Sequence, residues 1–236
     1  MSADLATIQT IQRDSNSDLA ARFACPVSLI PAPGRYTLAH HPGQPDTALG
    51  QHLCQVGIPT VLDDLLLPFL GPIPDSWRPG DKIHLQQPSG RGFSIPKTIR
   101  RLALAALGDT PARLLPTIPT ALESGASIAF FTPVPEIAAS LPTAVEIHPI
   151  SALNDILTWA DFLALDLSLE ELPNLRTILG LGPHAQIPCP VQALIWTPMP
   201  CGAMADCGVC AVPIRKGTYK LACKDGPVFD LQQIVW

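Results

Sequence analysis

Charge is scarce in this 236-residue chain: Asp, Glu, Lys and Arg together make up 15%, against 47% apolar residues. The formal balance is −5 and no basic run occurs, which excludes the electrostatic footprint of a nucleic-acid binder. No stretch approaches the roughly 18 uninterrupted apolar residues of a spanning helix, so no membrane partner is expected. The start, Met1-Ser-Ala-Asp-Leu-Ala-Thr7, has neither a basic n-region nor an apolar h-region, so no secretory signal is expected either. A P-loop, a serine or cysteine nucleophile motif and an internal repeat are all missing. Seven cysteines without an export signal point to a reducing cytoplasm, where grouped thiols mean metal or redox chemistry rather than disulfides.

What the chain does have is concentrated near its end. Cys201, Cys207, Cys210 and Cys223 read C-x5-C-x2-C-x12-C. Plant-type [2Fe–2S] clusters are held by C-x4-C-x2-C and a remote fourth cysteine, whereas structural zinc takes its ligands as two close pairs. Only Cys207 and Cys210 form such a pair, and no cysteine is followed two residues later by histidine, as a Rieske site would need. The spacing favours a [2Fe–2S] cluster and leaves zinc and free thiols open. Gly202 and Gly208 flank ligands, where a chain must bend sharply and bring its N–H groups toward sulfur. The stretch Gly217-Thr-Tyr-Lys-Leu-Ala-Cys223 alternates like a strand that would deliver the fourth ligand. Arg215, Lys216, Lys220 and Lys224 stand nearby, either to offset thiolate charge or simply as a solvated turn. Cys25, Cys54 and Cys189 are scattered and read as small buried hydrophobes.

The run Met199-Pro-Cys-Gly-Ala-Met-Ala-Asp-Cys-Gly-Val-Cys-Ala-Val212 and the run Tyr219-Lys-Leu-Ala-Cys-Lys-Asp-Gly-Pro-Val-Phe-Asp230 together carry a resemblance. They are similar to the C-terminal iron–sulfur segment of the electron-transfer subunit of dihydroorotate dehydrogenase B, where C-G-x3-C-x2-C-x-V precedes C-x-D-G-P-V-F. One departure is visible: five residues separate Cys201 from Cys207 where that family has four. The resemblance implies an N-terminal FAD-binding barrel, a second domain like the NAD-binding half of ferredoxin reductases, and four cysteine ligands. It extends to Pro33-Gly-Arg-Tyr36, and to Pro79-Gly-Asp-Lys-Ile83 with Gln87-Pro-Ser-Gly-Arg-Gly-Phe93.

The rest of the chain agrees in outline. Residues 1–95 hold short apolar pieces (24–30, 36–39, 82–85) separated by turn residues, as in a small barrel. Residues 96–197 read as strands at 101–107, 127–132, 145–148, 162–167 and 192–196, with helices at 110–124 and 168–179. Strands alternating with helices argue for a parallel sheet. The expected fold is a β-barrel plus an α/β domain, with a cysteine module at 198–236.

The cofactor motifs are worn. The family's flavin signature, R-x-(Y/F)-(S/T) in an early barrel strand, places arginine on the pyrophosphate and the hydroxyl on the flavin ring. Where it is due, the chain reads Gln51-His-Leu-Cys-Gln-Val-Gly57. Arg91 and Ser94 fit the string but fall in the barrel-closing glycine run, and Arg35, Tyr36 and Thr37 are a weaker fallback. For a dinucleotide, Gly108-Asp-Thr-Pro-Ala-Arg113 retains one glycine and sets Asp109 where a phosphate would lie. FAD binding is thus possible but without its motif, and NAD(H) is disfavoured. Trp236 suits either stacking on a flavin or packing against the barrel. Asp161, Asp166, Glu170, Glu171 and the His40-His41 pair read as capping or surface groups.

These readings converge on an electron-transfer subunit rather than a stand-alone enzyme. The resemblance implies a hetero-oligomer with the catalytic flavoenzyme subunit of a dihydroorotate dehydrogenase, in pyrimidine synthesis. The alternative is a non-catalytic scaffold of reductase-like fold in which the four cysteines hold zinc or serve stability alone.

Overall fold

In a computed structural model of the chain, residues 3–13, 18–44, 50–62, 65–108, 110–182, 185–215 and 217–236 are described. Asp109 and Lys216 lie outside them. The N-terminal half closes into a six-stranded antiparallel barrel of β1 (Ala3–Arg13), β2 (Leu19–Ala24), β3 (Tyr36–His40), β4 (Gln51–Gln55), β7 (Phe69–Gly71) and β8 (Lys82–Gln86). Their order is β1-β2-β7-β4-β3-β8, with β1 pairing both β2 and β8. A short hairpin, β5 (Thr60–Leu62) with β6 (Leu65–Leu67), stands apart from it. The barrel interior is filled by Phe23, Leu29, Leu53, Leu70, Trp77, Ile83 and Leu85.

The second half is a sheet built on β9 (Arg101–Ala106), β10 (Ser127–Phe131), β11 (Val145–His148), β12 (Phe162–Ser168) and β13 (Val191–Trp196), all parallel. The runs LALAA and FLALDLS are apolar almost throughout because both faces are covered, as a central parallel strand requires. One face packs Leu102, Leu104, Phe130 and Ile118; the other packs Leu163, Leu165 and Phe131. The order is β11-β10-β9-β12-β13, so the direction in which successive strands are added reverses between β9 and β12. In open α/β sheets that reversal, at the carboxyl ends of the strands, is where ligands settle.

The cysteine-bearing segment grows out of this sheet. A hairpin of β14 (Ala211–Ile214) and β15 (Thr218–Leu221) is followed by a one-turn helix, α4 (Ala222–Asp225). Strand β16 (Val228–Asp230) then returns antiparallel onto β13 as the sheet's sixth strand. Cys210, Val212, Ala222, Cys223 and Phe229 belong to the same core as Leu163 and Phe131. The barrel meets the segment at the closing glycine run: a Cβ on Gly90 would lie 2.5 Å from the Gly226 carbonyl and 2.9 Å from the Tyr36 ring. Glycine is needed there for close approach.

Four expectations about elements are corrected. Residues 24–30 are not a strand: β2 ends at Ala24, before Pro26, and Val27–Leu29 is a 3-10 turn. The helix expected at 110–124 shrinks to α1 (Ile118–Glu123), because Pro116 and Pro119 each lack the donor that a helix interior requires. Pro173 does the same to the helix expected at 168–179, leaving the 3-10 turn Leu172–Asn174 and α3 (Leu175–Ile178), as short as α2 (Leu153–Ile156) before it. Cys223 rides on α4, not on the end of a strand.

Candidate metal centre and the reductase crevice

The loop from Cys201 to Cys210 turns back on itself through left-handed residues. Gly202, Ala203, Ala205 and Gly208 have φ of 60°, 59°, 62° and 70°. Two of these are alanines, and non-glycine residues held there mark backbone strain of the kind concentrated at functional sites. The five-residue spacing between Cys201 and Cys207 is thus absorbed by two alanines in a glycine-like conformation.

The fold brings the four cysteines within one another's reach. Cys201 is half-buried and Cys207 exposed, whereas Cys210 and Cys223 are buried. Hydrogen bonds from the backbone of Asp206 and then of Cys207, joined by the Cys207 side chain, lower the Cys201 thiol to about 6. Burial first, then the hydrogen bond with Cys210 and the charge of Cys210 and Cys201, raises Cys223 to about 12. Cys201 therefore contacts Cys207, and Cys223 contacts Cys210. Among the described residues no three His, Cys, Asp or Glu side chains crowd around one single-ion position. Four cysteine thiols on one loop and one short helix are the donor type an iron–sulfur cluster takes, so the chemistry of the residues present fits that group.

The partners of this segment are structural. The Tyr36 hydroxyl donates to the Cys223 carbonyl at 2.5 Å, tying the barrel to the fourth cysteine. Burial, then the negative charge of Cys223, Cys210 and Cys201, pushes the Tyr36 phenol well above its ordinary value, so it stays a donor. The Cys210 carbonyl accepts from the Ala222 N–H at 2.9 Å, and Asp225 caps the Leu221 N–H at 3.0 Å. Arg215 and Lys220 are turned to acceptors of the C-terminal residues, Ile234 and Gln233, and Lys224 is exposed. Cys25, Cys54 and Cys189 are buried and scattered.

Residues 197–235 match the family model of the iron–sulfur cluster binding domain of dihydroorotate dehydrogenase B. No curated protein matches the chain by sequence. Among solved structures, the NADH-dependent reduced ferredoxin–NADP oxidoreductase described for flavin-based electron bifurcation superposes with a TM-score of 0.70. Its identity is 16%, covering 100% of this chain and 91% of that one. Phthalate dioxygenase reductase gives 0.52 at 11% identity, over 98% and 77%. A ferredoxin NADP+ reductase from Neisseria gonorrhoeae, with FAD and NADP bound, gives 0.56 at 14%, over 82% and 98%. The chain thus has a ferredoxin-reductase-like fold ending in an iron–sulfur segment of the dihydroorotate dehydrogenase B type.

FAD is bound in a solved structure of this fold, and most of the groups this chain offers one are already engaged within the protein. Arg35 donates to the carbonyls of Gly90 and Pro88, and Thr37 to that of Gln86. The backbone of Arg91 bonds to Gly226 and Val228, and the Ser94 N–H to Gln192. On β4, Gln51 donates to Pro72, and the Cys54 thiol faces the Gly71 carbonyl at 3.5 Å. His52 of the same strand stacks on Trp196 at 5.0 Å and 12°, with Tyr36 edge-on to it at 4.5 Å. The Arg113 guanidinium lies 4.6 Å from the Trp196 ring and pairs with buried Asp166 at 2.9 Å. Sequence reading passed over His52, Arg113 and Trp196. The usable signal was an aromatic closing the last parallel strand opposite a ring in the flavin string.

The remaining candidates are structural. Glu171 and Ser168 cap each other's N–H groups at 2.6 and 3.3 Å. Asp161 gathers the N–H groups of Arg100 and Arg101 and the Arg101 side chain, whose hydrogen bond holds its carboxyl below the usual range. His41 accepts from Gly43 and faces Asp81 at 3.5 Å. Trp236 packs on the sheet core and not on the barrel, donating to the Leu231 carbonyl beneath Arg176.

Proposed function

We propose that this protein is a one-electron relay subunit carrying a single [2Fe–2S] cluster, with Cys201 and Cys207 on one iron and Cys210 and Cys223 on the other. When bound, such a cluster supplies reversible uptake of one electron. The observation that carries the reading is the match of residues 197–235 to an iron–sulfur cluster binding domain, a segment whose four cysteines the fold brings into mutual reach. Backbone N–H groups of Asp206 and Cys207 directed at Cys201 would stabilise thiolate charge and orient the loop. Buried Cys210 and Cys223 anchor the site in the sheet core, and exposed Cys207 marks its solvent side.

The partner we favour is the catalytic flavoenzyme subunit of a dihydroorotate dehydrogenase, in a cytoplasmic hetero-oligomer serving pyrimidine synthesis. Its support is the match at 197–235 together with an apolar rim in the cysteine loop. Met204 and Val209 are exposed at 66% and 49%, which suits a docking face. The test is anaerobic purification with iron and sulfide analysis, visible absorbance and EPR after reduction. Two irons and two sulfides per chain with a red-brown spectrum support the relay; a colourless protein with one zinc assigns the scaffold alternative. Co-expression with the catalytic subunit is expected to give a stable complex. Its absence would detach the reading from that pathway.

A further inference from the structure

We propose that the Trp196–His52 stack stands where reductases of this fold hold their flavin ring, so that this subunit transfers electrons without a flavin or dinucleotide of its own. Ligands of an open α/β sheet settle at the strand carboxyl ends where chain order reverses. Here that point lies between β9 and β12, and above it an aromatic stack stands beside a small cavity. Trp196 closes β13, His52 comes across from the barrel strand β4, and their rings lie nearly parallel. Tyr36 seals the edge of His52, and Arg113 covers Trp196. The His52 Nε2 is shut off from solvent without a hydrogen-bond partner, as expected for a ring used as packing.

What is left of the crevice does not suit a pyrophosphate. Its volume is about 340 Å³, and its walls include Gly108, Ser168, Glu170, Glu171 and Trp196. Two carboxylates there repel an anion, and the one arginine in the wall, Arg113, is engaged by Asp166. The barrel strand contributes no arginine and no free hydroxyl, because Gln51 and Cys54 face main-chain carbonyls.

Electron counting gives the consequence, which rests on the cluster reading above. A reduced nicotinamide delivers a hydride, two electrons with one proton, whereas a [2Fe–2S] centre accepts one electron and no proton. Flavin is the group that takes two and passes on one at a time. A subunit without flavin must therefore receive electrons from a one-electron donor, or from a flavin held by another chain. NADH is not its direct reductant.

The test uses the full chain purified anaerobically. Heat denaturation is expected to release no flavin, added FAD to show no saturable fluorescence quenching, and NADH to leave the visible bands unbleached while dithionite bleaches them. Flavin released in a one-to-one ratio with protein, or saturable FAD binding, overturns the inference. A red-brown protein that also yields flavin would sink this inference and spare the relay; a colourless, flavin-free protein would do the reverse. Trp196→Ala tests the wedge itself with lumiflavin, a ring without phosphates. It should bind lumiflavin at least tenfold more tightly than the wild type. Equal binding by a variant of unchanged thermal midpoint would show that the stack does not fill the ring's place.

Discussion

Gly208 has nothing within 4 Å of where a Cβ would stand, so its glycine is required by its φ of 70° and not by space. Gly208→Ala is expected to cost roughly 1 kcal/mol of backbone strain, read as a lower urea midpoint and faster bleaching of the visible bands in air. The neighbouring thiols separate ligand from bystander. Cys207→Ser is expected to abolish the visible spectrum, whereas Cys54→Ser, in the barrel at the Gly71 carbonyl, should leave it intact. An unchanged spectrum in Cys207→Ser would remove the ligand set. His52 supplies a pH dependence. Burial, then the charge of Arg113, lowers it from 6.5 to about 3. Below pH 6.5 the unfolded chain therefore takes up a proton that the folded chain refuses, so stability falls as pH drops toward 3 and is flat above. His52→Leu should flatten this acid slope, by up to about 1.4 kcal/mol per pH unit. Urea midpoints near neutrality and near pH 5, compared between the two proteins, measure it.

At the level of elements, legibility followed burial and failed at proline. The strands at 127–132 and 192–196 were readable to within a residue, because parallel strands covered on both faces leave mostly apolar runs, and the edge strand at 145–148 was readable from its alternation of apolar and polar residues. The helices were overread. Apolar periodicity continues through Pro116, Pro119 and Pro173, but the hydrogen-bond ladder does not, and only short helices survive. The four cysteines stand out in the sequence by spacing; how Cys223 reaches the others does not, because it depends on α4 folding back over Cys210. The Arg113–Asp166 pair was illegible for a related reason: 53 residues separate the partners, and only the sheet brings them together. Arg113→Met alone should cost about 3–5 kcal/mol by stranding the buried Asp166 carboxylate. Combining it with Asp166→Leu should recover most of that loss in urea unfolding.

Across the whole molecule, the contacts that join barrel and sheet include the aromatic stack above the strand ends, and the Tyr36 hydroxyl with the glycine run against the cysteine segment. Iron removal by chelation should therefore loosen the molecule locally. Amide exchange is expected to rise in residues 199–210 and to stay slow in β13 and β16, whose pairing needs no metal. That pairing has an evolutionary corollary. A redox tail usually imagined as a detachable accessory here lends its final strand to the hydrophobic sheet that precedes it. Cutting the chain ahead of residue 198 would bare the flank of Val191–Trp196, an invitation to self-association. The cysteine-bearing end and the sheet thus form one folded unit, which neither could shed without exposing the other.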